Sequence, residues 1–386
     1  MLVLCCIPFQ GALAKLQDAD QDYLAQYESA VTSYGAGEYS TALVHLKNAL
    51  QARPEHLPSR LLIGSTYMRL GQPEEAAKEL RIALRLGAAP DQVIVPLGNA
   101  LLLLRDYRGI LDTIDATGLG GSRRYEVLVI RGRAHLELGE LDQALGDFDE
   151  AMRVDDRGME AYLGKAQVFS QRQDWETAGQ LIDAARQRAP DSPEVWYELG
   201  MLQGARGDAK AALASYDRAI ELNPSHMRAR KARASALAQG GDFEKALVDA
   251  EFVRTNVPKD ADAALTYGVV LMGLGRKEEA DAAIRAALEQ IDLIKDDVLK
   301  QQPGLLRVAT LASMLRGNLE QANVYVDQYL RLKPQSVDMR KQSARIKLQL
   351  DEADAAIRDI SPVVGALPEE LDSLGLLGQA YLQSGR

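Results

Sequence analysis

The sequence predicts an all-α fold built as an α-solenoid, a stack of helix–turn–helix repeats. Three observations predict it. A frame of 34 residues recurs from starting points 23, 57, 91, 125, 159, 193, 227 and 261, slips by eight, and resumes at 303, 337 and 371. Place 20 of that frame is alanine in nine of ten repeats (Ala42, Ala76, Ala144, Ala178, Ala212, Ala246, Ala280, Ala322 and Ala356), with Ile110 the exception. Place 8 is glycine or alanine in every repeat but the one carrying Thr310. Small residues at two fixed places let two helices approach closely, and a fixed period makes each repeat meet only its neighbours. The 386 residues are therefore one quasi-one-dimensional array rather than two or three globular domains.

The repeat at 193–226 shows how each element arises. Trp196, Leu199, Met201 and Leu202 give a first helix, A, its apolar face. Gly207 suits the left-handed residue that ends a helix, and Asp208 can cap the next one. Ala212, Tyr216 and Ala219 form the apolar face of helix B, which cannot continue through Pro224. Place 32 is proline in six repeats. The order of a large aromatic, Leu-Gly, Ala, an aromatic, Ala and Pro at places 4, 7–8, 20, 24, 27 and 32 resembles the tetratricopeptide repeat (TPR). That resemblance implies a TPR-type α-solenoid, a right-handed superhelix whose concave wall is lined by helix A at places 2, 5, 9 and 12.

In chain order, residues 1–14 are an apolar leader in which Ala12-Leu13-Ala14 has the form of a signal-peptide cleavage site. No basic residue precedes its short apolar run, so it reads as an export signal lacking its front end. Acylation at Cys5 or Cys6 is the lipoprotein alternative, with Leu4 standing where a small residue is required, and an apolar leader on a cytosolic protein is the other. Residues 15–22 read as a linker, and 23–294 as eight repeats in register. The third repeat is degenerate, because Pro96 should shorten or kink its first helix. Its Gly-rich Thr117–Ser122 stretch lacks the strand and the G-K-[ST] of a phosphate loop, and reads as a flexible linker. Residues 295–302 are an insertion, or a longer helix before Pro303, and 303–386 hold two repeats plus one helix. That lone helix leaves Leu374, Leu376, Leu377 and Leu382 half covered, so the expectation is a fragment cut within a repeat.

The text YESAVTSYGAGEYSTALVHLKNAL, followed by LLIGSTYMRLGQPEEAAKELRIALRLGAAPDQVIVPLGNALLL, resembles the TPR lipoproteins of PEP-CTERM protein-sorting and exopolysaccharide systems. The resemblance implies an exported, periplasmic or envelope-associated protein and a longer solenoid. The incomplete signal leaves lipid anchoring, and a cytoplasmic location, open.

The composition carries no sign of catalysis. None of His45, His56, His135 and His226 pairs with another His or Cys at ligand spacing, and no nucleophile motif occurs. His135, at place 11, reads as a packing residue. Cofactors, a metal and a small-molecule substrate are not expected. A formal charge of −10 and a pI near 5.1 argue against nucleic acid, which needs clustered Lys and Arg. No other apolar stretch is long enough to span a membrane, so any membrane contact runs through an N-terminal lipid. What remains is surface. The chaperone-binding members of the family clamp a carboxylate with Lys at place 5 and Asn at place 9; here Lys231 precedes Ser235, and Asn99 follows Val95. The groove candidates are Arg133, Gln167, Tyr197, Met201 and Lys231, from four successive repeats, which suits protein or peptide segments. The expected function is a non-enzymatic scaffold. The alternatives are the TPR portion of a larger enzyme, such as a glycosyltransferase, and a cytosolic adaptor.

Overall fold

The computed structural model describes residues 9–385, with side chains from Asp22. The leader residues 1–8, with Cys5 and Cys6, lie outside the described residues. Among the described residues there is no strand, and 21 of the 22 helices, all but one short helix after the eighth repeat, alternate as A and B members of repeats. The first four pairs are α1 (Phe9–Gly35) with α2 (Tyr39–Ala52), α3 (Leu57–Arg69) with α4 (Pro73–Arg85), α5 (Pro90–Leu103) with α6 (Tyr107–Thr113), and α7 (Gly121–Leu138) with α8 (Leu141–Val154). The fifth repeat holds α9 (Met159–Gln171) and α10 (Trp175–Arg188). Then come α11 (Pro193–Ala205) with α12 (Ala209–Leu222), α13 (Met227–Gln239) with α14 (Phe243–Asn256), and α15 (Ala261–Gly273) with α16 (Lys277–Asp292). After the short α17 (Asp296–Leu299) follow α18 (Pro303–Leu315) with α19 (Leu319–Leu332), α20 (Val337–Gln349) with α21 (Ala353–Ala366), and α22 (Leu371–Gln383). The chain divides into two compact units, one ending at Val168 and one beginning at Phe169.

The contact between A and B explains the small residues. All ten place-20 residues, Ile110 included, are at most 1% exposed. Place 24 supplies the bulk that the small residues receive: Leu46, Leu80, Ile114, Phe148, Ile182, Tyr216, Ile284, Val326 and Ile360 are all buried. A methyl group on Gly64 would stand 2.8 Å from Leu80, and one on Gly132 2.7 Å from Phe148. In the second unit the same is true of Gly200 against Tyr216 (2.5 Å) and Gly268 against Ile284 (2.7 Å). In these four repeats the glycine at place 8 is thus a socket for its own helix B, whereas a methyl on Gly98 would first meet Ile130 of α7, at 3.0 Å.

The turn between A and B is equally uniform. Place 15 is left-handed in every repeat, with φ between 56° and 82°, at eight glycines and at Arg105, Gln173 and Asp351. The next residue caps helix B through its side chain at Asp106, Asp174, Asp208 and Asn318.

Three expectations change. Residues 15–22, read as a linker, are continuous with α1; KLQDADQD contains no Gly or Pro and includes the helix formers Lys, Leu, Gln and Ala. Pro96 does not shorten α5, which runs 14 residues. Val93, Leu97 and Leu101 are fully buried there, and at about 1.5–3 kcal/mol each their burial outweighs the roughly 3 kcal/mol cost of an internal proline. The shortened helix of this repeat is its second, α6, of seven residues. The Thr117–Ser122 stretch links α6 to α7 only as far as Gly120. Ile114 and Ala116 just before it are buried, Arg131 donates to the Ile114 carbonyl at 2.8 Å, and Gly121 already belongs to α7. The insertion takes both anticipated forms at once, a 16-residue α16 and the separate α17.

Two glycines in one repeat should respond with opposite signs. Gly132→Ala should destabilise the protein by about 1–3 kcal/mol, because the methyl overpacks against buried Phe148. Gly146→Ala, in α8 with nothing within 4 Å, should stabilise it by about 0.5–1 kcal/mol. Urea unfolding of the two variants checks both signs.

Candidate functional site

Helix A presents places 2, 5, 9 and 12 on one side, and the structure separates these places into two kinds. In four repeats place 5 is engaged by place 34 of the same repeat, the residue that leads into the next helix A. In the second unit, Tyr197 on α11 is 8% exposed and its ring stacks on His226 at 5.6 Å. The Arg228 guanidinium lies 4.3 Å over the same ring and donates to Glu198 at 3.1 Å. His226 also caps α13, its Nδ1 accepting from the Ala229 N–H at 3.1 Å. In the first unit the same two places carry Tyr27 and His56, edge to face at 5.1 Å.

Where place 5 is lysine, place 34 is an acid. Lys231 on α13 reaches Asp260 at 3.4 Å and Asp262 at 2.8 Å. Lys341 on α20 reaches Glu370 at 3.0 Å and Asp372 at 3.2 Å. Arg307 and Arg345 join Asp262 and Asp372 at 3.1 and 2.7 Å. Asp260 and Glu370 each also cap the following helix. Burial works against the Lys231 ammonium, but the two carboxylates more than reverse it and hold its pKa above the usual value. These charges are therefore spent within the protein.

Place 9 is different. Val31, Met201 and Val269 stand there 46, 43 and 38% exposed, and Asn99 and Arg133 are exposed as well. Met272, at place 12, adds another exposed apolar side chain.

Of the five groove candidates, Arg133 on α7 and Gln167 on α9 belong to the first unit, and Tyr197, Met201 and Lys231 to the second. Arg133 and Met201 are exposed, although the Met201 sulfur accepts from the Tyr216 hydroxyl at 3.4 Å. Gln167 is half-buried and already engaged. Tyr197 is a core residue rather than an open groove residue, because His226 and Arg228 cover both its faces. Lys231 lies in its double ion pair. The signal that reveals this is the joint pattern of two places, Tyr with His and Lys with Asp or Glu, read across 29 residues. His135 is half-buried, 2.7 Å from Glu140 and 3.6 Å from Asp147, and so ties α7 to α8. Among the described residues, no three His, Cys, Asp or Glu side chains are grouped to hold a metal ion, and no helix is long and apolar enough to cross a membrane.

The Tyr–His pairs make stability depend on pH. Burial lowers the His226 pKa, Glu194 opposes this and Arg228 adds to it; burial and then Arg53 lower that of His56. With folded values below the unfolded value of about 6.5, the unfolded chain takes up more protons as pH falls. The contribution is present above about pH 6.5 and is lost as pH falls through the lower folded values. The urea midpoint should drop between about pH 7.5 and about pH 5, and His226→Asn, which keeps a capping acceptor but cannot titrate, should flatten that drop.

Family models of the tetratricopeptide repeat match residues 33–91, 131–193, 197–251 and 261–290, together more than half of the chain. Anaphase-promoting complex subunit 3 of Schizosaccharomyces pombe is 24% identical over 226 residues, covering 55% of this chain and 34% of that protein. Cellulose synthase operon protein C of Xanthomonas axonopodis pv. citri is 28% identical over 233 residues, covering 55% of this chain and 15% of that protein. The chain thus spans about a third or less of the length of these relatives. The solved structure of yeast Tom70 is similar over 97% of this chain and 94% of its own, at 14% identity and a TM-score of 0.42. With its matched repeats, its uniform left-handed turns and its paired helices, the chain belongs to the tetratricopeptide repeat family.

Proposed function

We propose that this protein is a non-enzymatic scaffold that binds segments of other proteins along the open place-9 row of its A helices, in association with an envelope exopolysaccharide or protein-sorting machine. The observation that carries the binding reading is the division between places 5 and 9. Packing and ion pairs use up place 5, whereas Val31, Arg133, Met201 and Val269 remain available at place 9. A surface of apolar side chains with an occasional cation suits a protein segment better than a charged polymer or a small molecule. The envelope association is supported by the Ala12-Leu13-Ala14 leader, by the resemblance of the first three repeats to the PEP-CTERM-type TPR lipoproteins, and by a matched relative named for a cellulose synthase operon, cellulose being itself an exopolysaccharide. The wider machine, the lipid anchor at Cys5 or Cys6 and the periplasmic location belong to this same proposal.

Photo-crosslinking residues placed at Met201 and Arg133 test it in cells making the protein with its own upstream sequence. Crosslinks to envelope proteins are expected from both positions and not from helix-B controls at Lys78 and Lys210. Met201→Ala and Arg133→Ala should each weaken recovery of the partner, by more than about 1 kcal/mol where the side chain is a hot spot, with the thermal midpoint unchanged. Tyr197→Ala should instead lower stability by about 3 kcal/mol, the cost of emptying a buried aromatic site. Crosslinks confined to the helix-B controls would overturn the groove reading. An intact N-terminus on a cytoplasmic protein would leave the cytosolic adaptor.

A further inference from the structure

We propose a second docking site, separate from the A-helix row: the cleft at the break in repeat register, which takes a basic side chain of a partner protein segment. The eight-residue slip leaves α17 standing between the end of α16 and the face of α19, and the space among them is a cleft of about 180 Å³. Ile291 and Leu299 lie buried against it, and Tyr325 of α19 lines it. The exposed Asp292 and Asp296 carboxylates line it with a single ammonium, Lys300, which sits 3.7 Å from Asp296. Among the described residues Asp292 enters no ion pair, so the cleft carries an excess of negative charge. Burial raises the pKa of the Tyr325 hydroxyl, a hydrogen bond with Gln321 lowers it, and the Asp292 and Asp296 charges raise it further.

The occupant follows from size and charge. The volume is below the roughly 300–1,000 Å³ of small-molecule sites, so a single side chain fits better than a cofactor. Buried Ile291 and Leu299 beside two carboxylates and one ammonium match the aliphatic stem and cationic head of Arg or Lys. Val324 in the lining is 48% exposed, and Leu293 and Val298, next in sequence to lining residues, are 86% and 41% exposed, apolar surface that the flanks of a protein segment can cover. A second copy of this chain is disfavoured, since each copy carries a net charge of −10. Asp292 also stands last in α16, where the negative end of the helix dipole disfavours a carboxylate, so folding does not account for its presence.

The test uses the full chain, methyl-labelled, titrated with the blocked tripeptide Leu-Arg-Leu and with the same peptide carrying citrulline, which keeps the shape and removes the charge. Saturable shifts are expected at the Ile291 and Ile294 methyls, with the citrulline peptide binding at least tenfold more weakly. Asp292→Asn should weaken the arginine peptide by a similar factor while leaving the thermal midpoint unchanged or slightly raised. Equal binding of the two peptides, no effect of Asp292→Asn, or shifts centred on Met201 instead of the cleft would overturn the proposal. So would a concentration-dependent dimer abolished by Leu293→Asp, which would assign the face to a second copy.

Discussion

Everything in this chain depends on one close approach, a residue of helix A without bulk receiving a large side chain of its own helix B. Gly64 under Leu80, Gly132 under Phe148, Gly200 under Tyr216 and Gly268 under Ile284 are the same contact in four repeats. The fully buried alanine at place 20 completes it one turn earlier on helix B. Because the contact is local, each repeat can be built with little reference to distant sequence. That tolerance is visible in the third repeat, where Ile110 and Ile114 fill the space and a proline survives inside α5.

Joining one repeat to the next uses different chemistry, and that difference defines the candidate site. In four repeats place 34 leads into the next helix A and at the same time meets place 5 behind it, with Tyr–His ring contacts in two and Lys–carboxylate pairs in two others. There the joint is polar or aromatic rather than aliphatic, so it brings charge and pH sensitivity to the packing between repeats. It also withdraws place 5 from binding. At place 9, a turn further along, Arg345 is paired with Asp372 and Gln167 is engaged, but Val31, Arg133, Met201 and Val269 are exposed, and they make up the surface on which the functional proposal rests.

The fold was legible because period and residue size report a local contact directly. Gly207 predicts the left-handed turn, and the register then locates the same conformation at Arg105, Gln173 and Asp351, whose side chains do not announce it. The groove was only partly legible. Spacing on a single helix puts places 5 and 9 on one face but is silent about a partner 29 residues away, so Tyr197 and Arg133 looked equivalent when only Arg133 is exposed. Glycine content marked the link at 117–120 but not its end, because α7 already begins at Gly121, nor the buried Ile114 and Ala116 that precede it. The cleft beside α17 had no sequence motif at all; it arises from the geometry of a slipped frame.

The most direct measurement is a double-mutant cycle between Gly64 and Leu80, whose side chain supplies the three atoms nearest to a methyl group on Gly64. Gly64→Ala alone should destabilise, and Leu80→Ala alone should cost about 2–5 kcal/mol by opening a cavity. In the Leu80→Ala background the added methyl meets that cavity, so Gly64→Ala should become neutral or stabilising, with a coupling energy of about 1 kcal/mol or more. Additivity of the two changes to within about 0.5 kcal/mol would contradict the close-approach account.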